Sequence, residues 1–126
     1  SENVSKISKV KAVRNKMITI QKLIGKNKGV VMDGRDIGSV VFPDAELKFF
    51  ITATLDERAR RRSKELEGAL IDDIKNNLLQ RDLDDSTRKE NPLIKLDEAI
   101  EIDNTNLTIE EQFKLVLSIC NKSINY

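Results

Sequence analysis

The chain has 126 residues, 39% of them hydrophobic and 34% charged, and its 22 basic and 21 acidic side chains leave a net charge of +1. That balance lacks the basic excess of a general nucleic-acid binder, and no apolar run approaches the ~20 residues of a membrane-spanning helix. Histidine is absent and Cys120 is the single cysteine, which excludes His-based catalysis, His-ligated metal, an intramolecular disulfide and a multi-cysteine zinc site.

In chain order, Ile7, Val10, Val13, Met17, Ile20 and Ile24 recur at steps of three and four and predict a helix ending at Gly25. Val30-Val31-Met32, closed by Asp33-Gly34, reads as a strand buried on both faces. Leu47 to Ala53, centred on Phe49, Phe50 and Ile51, reads as a second such strand. Thr54 with Glu57 forms a capping box and opens a helix whose core side carries Leu55, Ala59 and Leu66, with Gly68 at its end. Leu70, Ile71, Ile74 and Leu78 define a further helix running towards Arg88 and stopped by Pro92. Ala99 to Asp103 is a short strand. Thr108 and Glu111 make a second capping box before a helix with Ile109, Phe113, Val116, Leu117 and Cys120 along one stripe. The tail after Asn121 is polar. Strands alternating with helices and carrying continuous apolar runs predict an α/β layered fold with a parallel sheet. Three strands make a small parallel sheet, so part of a larger one is expected. No leader segment is read, and a cytoplasmic setting is expected.

Four segments bear on chemistry. Asp33-Gly34-Arg35-Asp36-Ile37-Gly38 follows a predicted strand, where open α/β sheets place ligands. Its acids, base and glycines suit a phosphorylated ligand or, equally, a tight turn with solvated charges. Arg81, Asp85 and Arg88 share one helix face, so two guanidinium groups flank a carboxylate. Such a group can hold a phosphate and a ribose hydroxyl, or be a surface ion-pair ladder. Arg58, Arg60, Arg61 and Arg62 form a basic run, with Arg58 and Arg62 one turn apart, suited to a polyphosphate or to a solvated face. Gly25-Lys26 is not the end of a phosphate-binding loop. Ile20 occupies the first glycine position of G-x-x-x-x-G-K-[ST], Asn27 occupies the last, and the segment ends a helix instead of opening one. Cys120, on an apolar stripe with no histidine to activate it, reads as a core residue.

The run Asp33 to Pro43 resembles the D-G-R-D-[IM]-G-[ST]-V-V-F-P hallmark of bacterial cytidylate kinases. Arg81 to Arg88, followed by Pro92-Leu93, resembles that family's R-D-x-x-D-x-x-R-x-x-x-P-L. The similarity runs from about Ser5 to Cys120, and Asp103-Asn104-Thr105 with the capped helix from Thr108 is similar to the family's usual ending. The resemblance implies the carboxy-terminal part of a P-loop nucleoside monophosphate kinase fold, three-layered with a mostly parallel sheet and flanking helices, its amino-terminal half missing. Residues 5–28 would then end the monophosphate-binding region and 55–92 would form the lid. The implied reaction moves the γ-phosphoryl group of ATP onto CMP or dCMP, with Mg2+. By position, Ser5, Arg14 and Asp36 correspond to base contacts, and Arg81 and Asp85 to ribose and phosphate contacts. Arg35 and Arg88 correspond to residues that neutralise phosphate charge. Asp33 would orient magnesium through water without ligating it directly, and Arg58 and Arg62 correspond to lid arginines facing ATP. Phosphoryl transfer rests on alignment and charge neutralisation, which a fan of arginines supplies without His or Cys.

The chain departs from the family in three ways. The ATP-cradling loop and the first half of the monophosphate-binding region are absent from these residues. Lys11 stands where relatives often carry Pro, and Ser5 and Arg14, nine residues apart, would face opposite sides of a straight helix. The lid segment before Arg81 is a few residues short. The chain alone is therefore expected to be inactive, to bind neither ATP nor magnesium tightly, and to expose a sheet edge that invites self-association or pairing with the missing half. A non-catalytic pyrimidine-nucleotide-binding module is the alternative. Nucleic acid and membrane are not expected partners.

Overall fold

The computed structural model describes residues 10–66 and 68–124. The chain divides into two compact units, Ser1–Ala45 and Glu46–Tyr126.

The first unit holds helix α1 (Lys11–Gly25) and a single π-helical turn over Ile37–Val41. α1 follows the predicted periodicity and ends at the predicted glycine. Gly25 is required by packing: a Cβ there would overlap the Phe42 ring, which lies against the end of the helix. Val41 is the buried centre of this unit. The predicted apolar stripe is not what α1 shelters. Val10, Val13, Met17, Ile20 and Ile24 are exposed, and Arg14, Ile18, Gln21 and Gly25 are the half-buried positions. Ile7 lies outside the described residues. The predicted strand at Val30–Met32 does not form: these residues have no regular structure, and Val31 is fully exposed. An apolar run supplies side chains for a strand but not the ladder of hydrogen bonds, and no strand pairs with it among the described residues.

The second unit is α/β. β1 (Phe49–Thr52) and β2 (Ile100–Asp103) pair in parallel, with Phe49 opposite Ile100 and Thr52 opposite Asp103. Parallel neighbours need a long crossover. Here it contains α2 (Leu55–Ser63) and α3 (Ile71–Thr87), which pack on each other. Gly68, with φ +77°, sits in the left-handed region within the connection between them. Ala59 and Ile74 are the buried residues of the helix pair, and Ile102 is the buried residue of β2. The expected burial of β1 on both faces is corrected: Ile51 is half exposed, as in a strand with one sheltered face. α4 (Ile109–Ile124) follows β2.

The capping boxes differ in outcome. At α4, Thr108 N donates to the Glu111 carboxylate at 2.8 Å and Glu111 N donates to Thr108 Oγ1 at 3.2 Å, so both halves are made. At α2, Glu57 N donates to Thr54 Oγ1 at 3.4 Å, but Thr54 N donates across to Thr105 Oγ1 at 2.9 Å. Glu57 instead spends its carboxylate on Arg60 and Arg61. No helix among the described residues is long and apolar enough to cross a membrane.

Candidate functional site

In the first unit, Arg14 projects from the sheltered side of α1 and Asp36 precedes the π-helical turn. Arg14 Nη1 donates to Asp36 Oδ2 at 3.2 Å, with side-chain exposures of 13% and 16%. An ion pair this sheltered is screened much less than a surface pair. The Asp36 carbonyl accepts from Val40 N at 2.9 Å, which anchors the residue in the turn. Gly34 lets the loop close: a Cβ there would lie 2.7 Å from Ile37 Cγ1. Arg35 is half-buried beside Asp36, and Asp33 is exposed on irregular backbone, not at the tip of a strand as predicted. Ser5 lies outside the described residues.

In the second unit, Arg81 and Asp85 lie one turn apart on α3 and Arg88, the residue that caps its end, reaches back to Asp85. Arg88 Nη1 is 3.3 Å from Asp85 Oδ1, and Arg81 Nε is 3.9 Å from Asp85 Oδ2. Arg88 Nε also donates to the Asn91 carbonyl. Asn91 takes φ +53°, a left-handed turn, and Leu93 N returns to the Asp85 carbonyl at 2.7 Å. The Pro92-Leu93 element of the motif thus closes a backbone turn that fixes Arg88. Asp85 Oδ2 and Arg88 Nη2 are closed off from solvent without a hydrogen bond, although both residues make further contacts. Arg81 remains about half exposed. Of the three, Arg81 is the exposed group, and an arginine fork of this kind can grip a phosphate bidentately.

The basic run divides into separate tasks. Arg58 Nη1 donates to Asp82 Oδ2 at 2.6 Å and its Nε to the Ala53 carbonyl at 3.2 Å. Arg62 pairs with Glu65. Arg60 and Arg61 bracket Glu57. The Arg60 hydrogen bond first, then those of Arg61 and their charges, hold the Glu57 carboxyl down at about 2. Arg61 also reaches Asn104, donating to its side-chain oxygen at 2.9 Å and its carbonyl at 2.7 Å. In the turn after β2, the Thr105 hydroxyl and N–H hold the Asp103 carboxyl below the usual range. Sequence reading placed Arg61 in the basic run, Asp82 in the R-D-x-x-D-x-x-R motif and Asn104 in the family's ending, but gave none of them a partner. The Asp103-Asn104-Thr105 match was the available signal for the last of these. Asp82 lies 24 residues from Arg58, beyond any local pattern.

A family profile for cytidylate kinase matches residues 1–122. A cytidylate kinase of Flavobacterium psychrophilum is 49% identical over 125 residues, covering 96% of this chain and 55% of its own length. One from Fusobacterium nucleatum is 49% identical, covering 92% of this chain and 55% of its own. One from Caldicellulosiruptor saccharolyticus is 52% identical, covering 95% and 55%. The chain therefore spans about half the length of the curated relatives it matches.

Proposed function

Since this chain belongs to the cytidylate kinase family, we propose that it supplies the monophosphate side of a phosphoryl transfer from ATP to CMP or dCMP, giving CDP or dCDP. The observation that carries the proposal is the face of α3 on which Arg81 and Arg88 flank Asp85, with Arg88 fixed by the Asn91 carbonyl. Arg81 and Asp85 would contact ribose and phosphate. Arg88 and Arg35 would neutralise phosphate charge, leaving alignment as the remaining requirement. Arg14 and Asp36 would read the cytosine edge, one as donor and the other as acceptor for the exocyclic amine, and Ser5 joins them by motif position. Arg58 and Arg62 are assigned by motif position to the ATP side of the lid.

The residues present do not fit an ATP or magnesium site of their own. The 126 residues contain no G-x-x-x-x-G-K-[ST] run, so they offer neither its backbone N–H cradle nor its lysine. Among the described residues no three His, Cys, Asp or Glu side chains are grouped to hold a metal ion. Asp33 would act on a hydrated magnesium ion only in an intact enzyme. We therefore propose that this chain alone binds CMP without turning it over. Calorimetric titration with CMP, paired with a coupled assay using ATP and CMP, tests both halves. Saturable binding without turnover is expected. Absence of binding overturns the site assignment, and turnover like that of an intact kinase overturns the inactivity.

A non-catalytic pyrimidine-nucleotide-binding module, resting on the same Arg81–Asp85–Arg88 group, is the second reading. A relative's amino-terminal portion added in trans separates the two: restored turnover supports the kinase reading. Self-association belongs to the proposal as well. Among the described residues β1 and β2 pair only with each other, so each presents an open edge.

A further inference from the structure

We infer that Asp82 is a positioning residue: through Arg58 it sets which face of α3 presents Arg81, Asp85 and Arg88. The inference rests on the reading of that face as a nucleotide-binding group. At ~100° per residue, Arg81, Asp85 and Arg88 fall within an arc of roughly 60°, and Asp82 projects roughly 60° beyond Asp85. A tie at Asp82 therefore fixes the rotation of the helix without occupying the binding face. Arg58 is suited to make that tie. Its guanidinium spans two elements, donating from Nη1 to Asp82 on α3 at 2.6 Å and from Nε to the Ala53 carbonyl just past β1 at 3.2 Å. A planar fork holding two acceptors in fixed directions restrains rotation, which a lysine point charge could not do. Both partners are one-third exposed, so the pair is only partly screened.

A second ion pair across these helices, among the described residues, is a poor substitute. Lys75 Nζ reaches Asp56 at 2.6 Å, but Asp56 is 81% exposed and the lysine is a flexible single contact. It also lies about two turns nearer the start of α3 than Asp82. Ala59 and Ile74 are the buried residues of the two packed helices, and Ile74 lies near that end of α3. The Arg58 tie acts nearer the end of α3 that carries Arg81, Asp85 and Arg88.

The sign of the effect makes the inference testable. Asp82 is adjacent to Arg81. Neutralising a carboxylate beside a phosphate site should tighten anion binding by Coulomb's law alone. A positioning role predicts the opposite. CMP affinity is measured by calorimetry on the 126-residue chain and on Asp82→Asn, Asp82→Glu and Arg88→Ala, with melting temperatures alongside. Spin labels at Lys64→Cys and Asn76→Cys in a Cys120→Ser background report the α2–α3 distance distribution. Asp82→Asn should weaken CMP about tenfold and broaden the distribution, and Asp82→Glu should restore binding to within about threefold. Arg88→Ala should weaken CMP with an unchanged distribution. Binding lost with Arg88→Ala but kept or tightened with Asp82→Asn overturns this inference alone. So does weakened binding in Asp82→Asn with an unmoved distribution. A chain that binds no CMP with Asp82 intact overturns the nucleotide reading, and this inference with it.

Discussion

Nη1 of Arg88 lies 3.3 Å from Oδ1 of Asp85, one turn earlier on α3, while its Nε donates to the Asn91 carbonyl. Both acceptors are addressed by one planar group. Arg88→Lys keeps the charge and loses the fork. It should weaken CMP binding by about tenfold and cost about 1–2 kcal/mol of stability, read by calorimetry and thermal melting. Unchanged affinity would show that charge alone is used.

The Arg14–Asp36 pair predicts a coupled loss. Removing either partner takes a charged hydrogen bond from a sheltered side chain, at about 1–3 kcal/mol. Arg14→Met and Asp36→Asn should each lower the melting temperature, and the double variant should lose less than the sum. Additive losses in a double-mutant cycle would mean the pair is not coupled.

Gly25 predicts a steric penalty. Gly25→Ala pushes a methyl into the Phe42 ring and should destabilise the first unit by about 1–3 kcal/mol. Adding Phe42→Leu should recover part of that. Amide hydrogen exchange in α1 reads the effect locally.

Glu57 predicts a pH window. Its carboxyl is lowered from 4.5 to about 2 by Arg60 and Arg61, so the folded state favours the ionised form. The associated stabilisation is fully present above pH 4.5 and is lost as pH falls through 2. The melting-temperature gap between the unaltered chain and Glu57→Gln should be widest above pH 5 and close below pH 2. A gap that is flat across this range would remove the ion-pair explanation.

Exposed apolar surface on α4 predicts association. Phe113 and Ile109 are 62% and 92% exposed on the stripe that sequence periodicity assigns to a core. Phe113→Glu should leave the melting temperature nearly unchanged and lower the average mass by light scattering. A monomer before and after substitution would refute the prediction.

What could be read from the sequence follows from the range of each interaction. α4 and α2 were legible because a capping box spans three residues, as Thr108 with Glu111 shows in full. β1 and β2 were legible as apolar runs bounded by helix starts. The strand expected at Val30–Met32 was not, because a strand exists only where a partner offers its ladder. The face of α1 was misread for a related reason: periodicity locates the apolar stripe but cannot say whether anything covers it. Within the site, Arg81, Asp85 and Arg88 were visible as a helical spacing, and Arg14 and Asp36 only through the family motif. The contacts that hold these groups escaped it. Asn91 acts through its backbone, and Asp82 meets Arg58 across a helix connection.

Phe49 sits beside Ile100 although 51 residues separate them along the chain. Such a parallel pairing closes a long loop before any ladder bond is gained, so its contacts come late on the way to the native state. The α2–α3 hairpin, whose contacts are nearer in sequence, is expected to form first, with the strands pairing onto it afterwards. Refolding speed should accordingly track the strength of the hairpin, whereas weakening β2 should mainly hasten unfolding.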